Sequence, residues 1–61
     1  MWRVSISIVG FVVTTIFSDL SQCLEFIPEQ IHEYGITMVL WYRVEEKYNG
    51  IWQQRGFTKV N

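Results

Sequence analysis

Cys23 and His32 are the only residues of their types in the chain, so they are the first pair to test for chemistry. A thiolate beside an imidazole makes a nucleophile and its base, provided the two face each other within hydrogen-bond reach. Both lie in "SDLSQCLEFIPEQIHEYG", residues 18 to 35, which reads as one helix. Nine residues apart on a helix, they are separated by about 13 Å of rise. They are therefore not expected to pair. Cys23 reads as a small core residue and His32 as a solvated flank. One Cys and one His cannot close a four-ligand zinc site, and a lone cysteine cannot form an internal disulfide.

Glu25, Glu29 and Glu33 recur every fourth residue and form one helical ridge. Paired carboxylates do acid–base work in a cleft, and an open helix face offers none. The ridge reads first as a solvated face, in which like charges cost a few tenths of a kcal/mol per pair. Phe26 stands beside it and off the apolar stripe. Glu25, Phe26, Glu29 and Glu33 are therefore a secondary candidate surface for docking a basic partner. With no nucleotide motif, metal set or catalytic constellation in the chain, no enzyme activity and no cofactor is expected.

Trp41 and Trp52, with Arg43 and Lys47, carry the sharpest signal. Trp and Arg dominate protein interfaces. Exposed aromatics beside cations also stack nucleobases, but a formal net charge of −1 is a weak footprint for that role. Trp41, Arg43, Lys47 and Trp52 are the principal candidate contact residues, for a partner protein or a second copy.

The elements that position these residues follow from patterning. "VSISIVGFVVTTIF", residues 4 to 17, is uncharged. A membrane-spanning helix needs about 20 apolar residues, and the run from Val4 to Ser18 has 15 uncharged ones before Asp19. A secretion signal is the nearer alternative, with Arg3 as its basic start and "LSQC" resembling a lipoprotein cleavage box. Gln22 and Asp19 both depart from that pattern, and the 39 residues after the cut make a poor core. A small membrane or secreted protein, with residues 4–17 as its apolar segment, remains an alternative.

β structure accounts for the stretch better. Trp2, Val4, Ile6 and Ile8 alternate with Arg3, Ser5 and Ser7. Gly10 marks a turn, and "FVVTTIF" resumes as a second strand. In the helix, Ser18 or Asp19 caps, with Gln22 at capping-box spacing. Leu20, Cys23, Leu24, Ile27, Ile31 and Tyr34 form the predicted apolar stripe. Gly35 ends the helix, and Pro28 predicts a kink or two abutting pieces.

Alternation then resumes from Ile36 through Val44. Asn49-Gly50 is a strong signal for a two-residue hairpin loop. That loop predicts Tyr48 opposite Ile51, Val44 opposite Arg55 and Tyr42 opposite Phe57 on one side. On the other side it sets Lys47 opposite Trp52 and Trp41 opposite Thr58.

The expected fold is a small two-layer α+β domain over residues 1–61. Its order is β-β-α-β-β, an antiparallel sheet with one Pro-kinked helix on one face. The uncovered face is predicted to carry Ser5, Ser7, Val39, Trp41, Arg43, Lys47 and Trp52. A chain this short is marginal alone, which favours association, a homodimer first.

In size and aromatic content the chain resembles the small accessory proteins that bacteriophages make to bind and inhibit a host enzyme or defence complex. That resemblance implies a non-catalytic protein-binding module acting in the host cytoplasm. A small nucleic-acid-binding domain is the other alternative.

Overall fold

A computed structural model describes residues 1–61. Strand β1 (Trp2–Ile8) and strand β2 (Phe11–Phe17) are followed by helix α1 (Leu20–Tyr34) and a single 3₁₀ turn (Ile36–Met38). Strands β3 (Val39–Tyr48) and β4 (Ile51–Lys59) complete the chain. The four strands form one antiparallel sheet in the order β2-β1-β3-β4, with α1 on one face. This is the two-layer α+β architecture expected. No helix is long and apolar enough to cross a membrane.

The uncharged opening stretch is a hairpin. Trp2 pairs with Phe17 and Ile8 with Phe11, leaving Val9-Gly10 as the loop. Gly10 sits at φ 99°, a conformation that only glycine adopts readily. Even-numbered β1 side chains point to the helix. Val4, Ile6 and Ile8 join Cys23, Ile27 and Val39 in the core.

The helix starts at a capping box. The Gln22 amide donates to the Asp19 carboxylate at 3.0 Å, and the Asp19 amide donates back to the Gln22 side-chain oxygen at 3.4 Å. Hydrogen bonds from the Ser21 hydroxyl and then the Gln22 amide hold the Asp19 carboxyl below its ordinary value. A lowered folded pKa means that the cap's contribution is present above the ordinary value and is lost as pH falls through the folded one. Asp19→Ala is expected to lower the thermal midpoint at neutral pH, and Asp19→Asn to keep most of it. A melt of the two variants beside wild type checks this.

At the other end, Gly35 takes φ 90° and its amide donates to the Ile31 carbonyl at 2.8 Å. The helix runs unbroken from Leu20 to Tyr34 through Pro28.

Three sequence expectations are corrected. First, the helix is rolled toward β2. The Phe26 ring packs 5.0 Å from that of Phe17, and Tyr34 meets Phe11 at 5.7 Å. Phe26 therefore flanks the core, while Leu20 and Leu24, assigned to the core stripe, are exposed. The helix thus leaves β4 uncovered, and a shallow groove opens between Leu24, Trp2 and Gly56.

Second, Ile36 to Met38 form the 3₁₀ turn instead of extending the strand. The β1–β3 register then shifts: Ser7 pairs with Trp41 but Ile8 with Val39, so Leu40 is an extra residue. This turns Val39 off the open face and into the core, where it is fully buried. The displaced Leu40 carbonyl accepts from the Val60 and Asn61 amides at 2.9 and 3.0 Å. The Asn61 side chain donates to the Ile36 and Val39 carbonyls.

Third, the β3–β4 register is right only near the loop. Asn49 and Gly50 both have positive φ, 50° and 76°, as a type I′ turn requires. Tyr48 pairs with Ile51 and Lys47 with Trp52. Beyond Glu45–Gln54, Arg55 bulges out. Val44 then meets Gly56 instead of Arg55, Tyr42 meets Thr58 instead of Phe57, and Trp41 meets Lys59 instead of Thr58. A bulge adds one residue to one strand and so exchanges the faces of everything after it. Phe57 moves from the helix side to the open face, opposite Arg43.

Candidate functional site: the open face of the sheet

Strand parity places Trp41, Arg43 and Lys47 on one side of β3, and the Lys47–Trp52 pair brings Trp52 to the same side. The four residues singled out in the sequence therefore share the face that the helix leaves open. Arg3, Glu45 and Phe57 join them, and none of these three was selected from sequence. Arg3 and Glu45 were visible by parity alone, since they share the parity of Ser5 and Arg43 respectively. Phe57 needed the bulge at Arg55, for which the chain carries no clear signal beyond the neighbouring Gly56.

Glu45 is the hub. Its side chain is only 11% exposed, and its carboxylate accepts from Arg3 Nε at 2.9 Å, with Arg43 Nε 3.5 Å away. Arg3 lies opposite Glu45 in the ladder, which explains that contact. Arg43 Nε is buried without a hydrogen-bond partner, so Arg43 is the less satisfied of the two.

Each guanidinium also lies over a ring. Arg3 is 4.3 Å from the Trp52 centroid, and Arg43 is 5.4 Å from that of Trp41. The Lys47 ammonium lies 5.9 Å from the Trp52 centroid. Trp41 packs 5.7 Å from Phe57. Ser5 and Ser7 are buried although they face outward; in the ladder Ser5 stands between Thr14 and Arg43, and Ser7 between Val12 and Trp41. Ser5 and Thr14 share a hydroxyl–hydroxyl hydrogen bond at 3.2 Å.

The hydrogen bond from Arg3 is the largest influence on Glu45 and holds its carboxyl below the ordinary value of about 4.5, with the positive charges of Arg3 and Arg43 adding to it. A lowered folded pKa gives stability above the ordinary value that is lost as pH falls through the folded one. Glu45→Gln is expected to flatten the acid limb of a stability–pH profile. At pH 7 it should cost about 1 kcal/mol, since the partners are partly solvated. Chemical denaturation at several pH values measures both effects.

Charge is segregated across the molecule. Arg3, Arg43, Lys47 and Lys59 stand on the open face with Glu45, a local balance of four against one. Asp19, Glu25, Glu29 and Glu33 belong to the helix side, all exposed. The fifth cation, Arg55, bonds Glu46 at 3.2 Å. A chain with a net charge of −1 thus presents one positive and one negative surface.

The remaining candidates sit apart. Cys23 is fully buried, its thiol 3.7 Å from the Asp19 carbonyl, and burial pushes that thiol above its ordinary pKa. His32 is exposed on the outer helix surface. Of the secondary docking set, Glu25, Glu29 and Glu33 are exposed as expected, while Phe26 is committed to Phe17. No three His, Cys, Asp or Glu side chains cluster as a metal site. No family model, no curated protein and no solved structure matches the chain.

Proposed function

We propose that the chain is a small non-catalytic protein-binding module whose contact surface is the open face centred on Trp41, Arg43, Lys47 and Trp52, extended by Arg3 and Phe57. The observation that carries this reading is a set of large aromatic rings held in place by cations on a sheet face that nothing in the chain covers. Aromatic and Arg side chains that are already ordered lose little freedom on binding, which is how contact anchors work. Thirteen large hydrophobic residues are exposed against a buried core of six residues, Cys23 among them, so apolar surface is abundant for association.

The positive balance of the face selects an acidic protein surface as its partner. We place the module with small accessory proteins of bacteriophage type, binding and inhibiting a host enzyme or defence complex in the host cytoplasm. Nucleic acid is disfavoured as partner, because four cations on a chain of net charge −1 make a weak electrostatic footprint for a polyanion.

Immobilised wild-type chain, presented with host lysate, should retain a partner that Trp41→Ala and Trp52→Ala chains do not. Retention of nucleic acid that falls steeply with salt, with no protein retained, overturns the reading.

A further inference from the structure

The sheet order leaves β2 at one edge, and its outward backbone groups can be identified. The Val9 amide donates to the Met38 carbonyl, and the Lys47 amide donates to the Met1 carbonyl. Odd-numbered residues along β1 therefore bond toward β3. Alternation turns the even-numbered ones toward β2, where they meet Phe11, Val13, Thr15 and Phe17. The N–H and C=O groups of Val12, Thr14 and Ile16 point away from the sheet.

Such an edge is a template for another strand, and proteins usually blunt it with lysine, proline, a bulge or a covering element. Residues 11–17 contain no charge and no proline, and their pairing with β1 runs without a bulge. Val12 and Ile16 are 53% and 55% exposed. The opposite edge, β4, is protected: it bulges at Arg55 and ends in Lys59.

The sequence of the bare edge says what fits it. "FVVTTIF" reads nearly the same in both directions about Thr14, with Phe11 matched by Phe17, Val12 by Ile16 and Val13 by Thr15. About a two-fold axis at Thr14 each residue meets its mirror position in the second copy, so Phe meets Phe, Val meets Ile and Val meets Thr, pairs matched as aromatic or β-branched side chains.

We infer that β2 pairs antiparallel with β2 of a second copy, on a two-fold axis through the Thr14 pair. Thr14 then exchanges its N–H and C=O with its mate. Val12 does the same with Ile16 of the second copy, and Ile16 with Val12, making about six backbone hydrogen bonds. The seam is uncharged, so two copies of negative net charge meet there without local repulsion. The contact is isologous and closes, because both outer edges of the eight-stranded sheet are the protected β4.

Directly opposed residues of an antiparallel pair share a face. Both open faces therefore lie on the same side. Their β3 strands are five spacings apart, about 24 Å. Two contact surfaces so placed can engage two sites on one partner and gain by it.

Thr14→Cys in the full chain tests the axis. Like residues at the axis have Cα atoms about 5.5 Å apart, within disulfide reach. Val12→Cys places them about 14 Å apart, out of reach, and Cys23 is too buried to compete. Mild oxidation at micromolar concentration should crosslink the Thr14→Cys chain covalently and leave the Val12→Cys chain without a crosslink.

Equilibrium sedimentation should find wild type dimeric. The double variant Val12→Lys with Ile16→Lys, which sets lysine opposite lysine twice, should weaken the dimer at least about tenfold. The conservative cysteine pair still decides the matter if the lysine variant fails to fold. A monomeric wild type at every concentration, or equal crosslinking from positions 12 and 14, overturns the inference. Neither result touches the open-face reading, whose variants lie on β3 and β4.

Discussion

Ile6→Ala is expected to leave the chain largely unfolded at room temperature. Ile6 has no exposed surface, sits on a central strand between Val13 and Tyr42, and is among the largest fully buried side chains. Cutting it to Ala costs about 2–5 kcal/mol, the lost transfer energy plus a cavity that the helix cannot fill. A core this small rarely supplies more than about 3–5 kcal/mol in total. Ile6→Val, which removes one methylene, should cost only about 1 kcal/mol and stay folded. Far-ultraviolet circular dichroism at one fixed protein concentration separates the two, the concentration mattering because association adds apparent stability. An Ile6→Ala chain that melts within a few degrees of wild type would place the stabilising core elsewhere.

Cutting Trp41 or Trp52 to Ala should have the opposite profile, a large loss of partner affinity with the fold kept. Both rings are half-buried, and their contacts are with Arg43, Phe57, Arg3 and Lys47 on the open face rather than with Ile6 and its neighbours beneath the helix. Anchors of this kind typically cost at least about 2 kcal/mol of binding, roughly a 30-fold rise in Kd. Trp52→Ala should lose more than Trp41→Ala, because it also releases Arg3 and Lys47, while Phe57 remains beside the vacated Trp41 position. Lys47→Ala, a change at an exposed rim position, should alter mainly the association rate and its salt dependence. Titration calorimetry or surface binding against the captured partner gives the affinities, and circular dichroism of the same samples reports the fold. Loss of secondary structure in both Trp variants would make the rings a second core layer, and would falsify their role as contacts.

Much of this architecture could be read from residue types, and the places where reading failed have a common cause. The alternation of Trp2 to Ile8, the two glycine turns and the capping box are local signals, and each produced its element. The shared face of Trp41 and Trp52 followed from the Asn49-Gly50 loop, close enough to the turn for its register to hold. Failures accumulated with distance from a turn. Leu40 and Arg55 each add one residue to a strand, and periodicity cannot see an insertion that long-range pairing absorbs. Val39 and Phe57, the residues just beyond, were consequently assigned to the wrong sides. Helix rotation failed for a different reason. The stripe of α1 is broad, with apolar residues from Leu20 and Leu24 round to Phe26, and only the aromatic rings of β2 decide which part faces in.

The bulge at Arg55 has a meaning for how such a chain can change over generations. Gln54 keeps its place opposite Glu45, and Gly56 opposite Val44, whether or not Arg55 stands between them. Losing that one codon would shorten β4 without altering which side chains look outward. A one-codon loss inside β1, where no bulge takes up slack between Trp2 and Ser7, would instead turn half the core to solvent. The β4 strand can therefore give up a residue at Arg55 and keep its faces, while the β1 row beneath the helix can vary only by substitution.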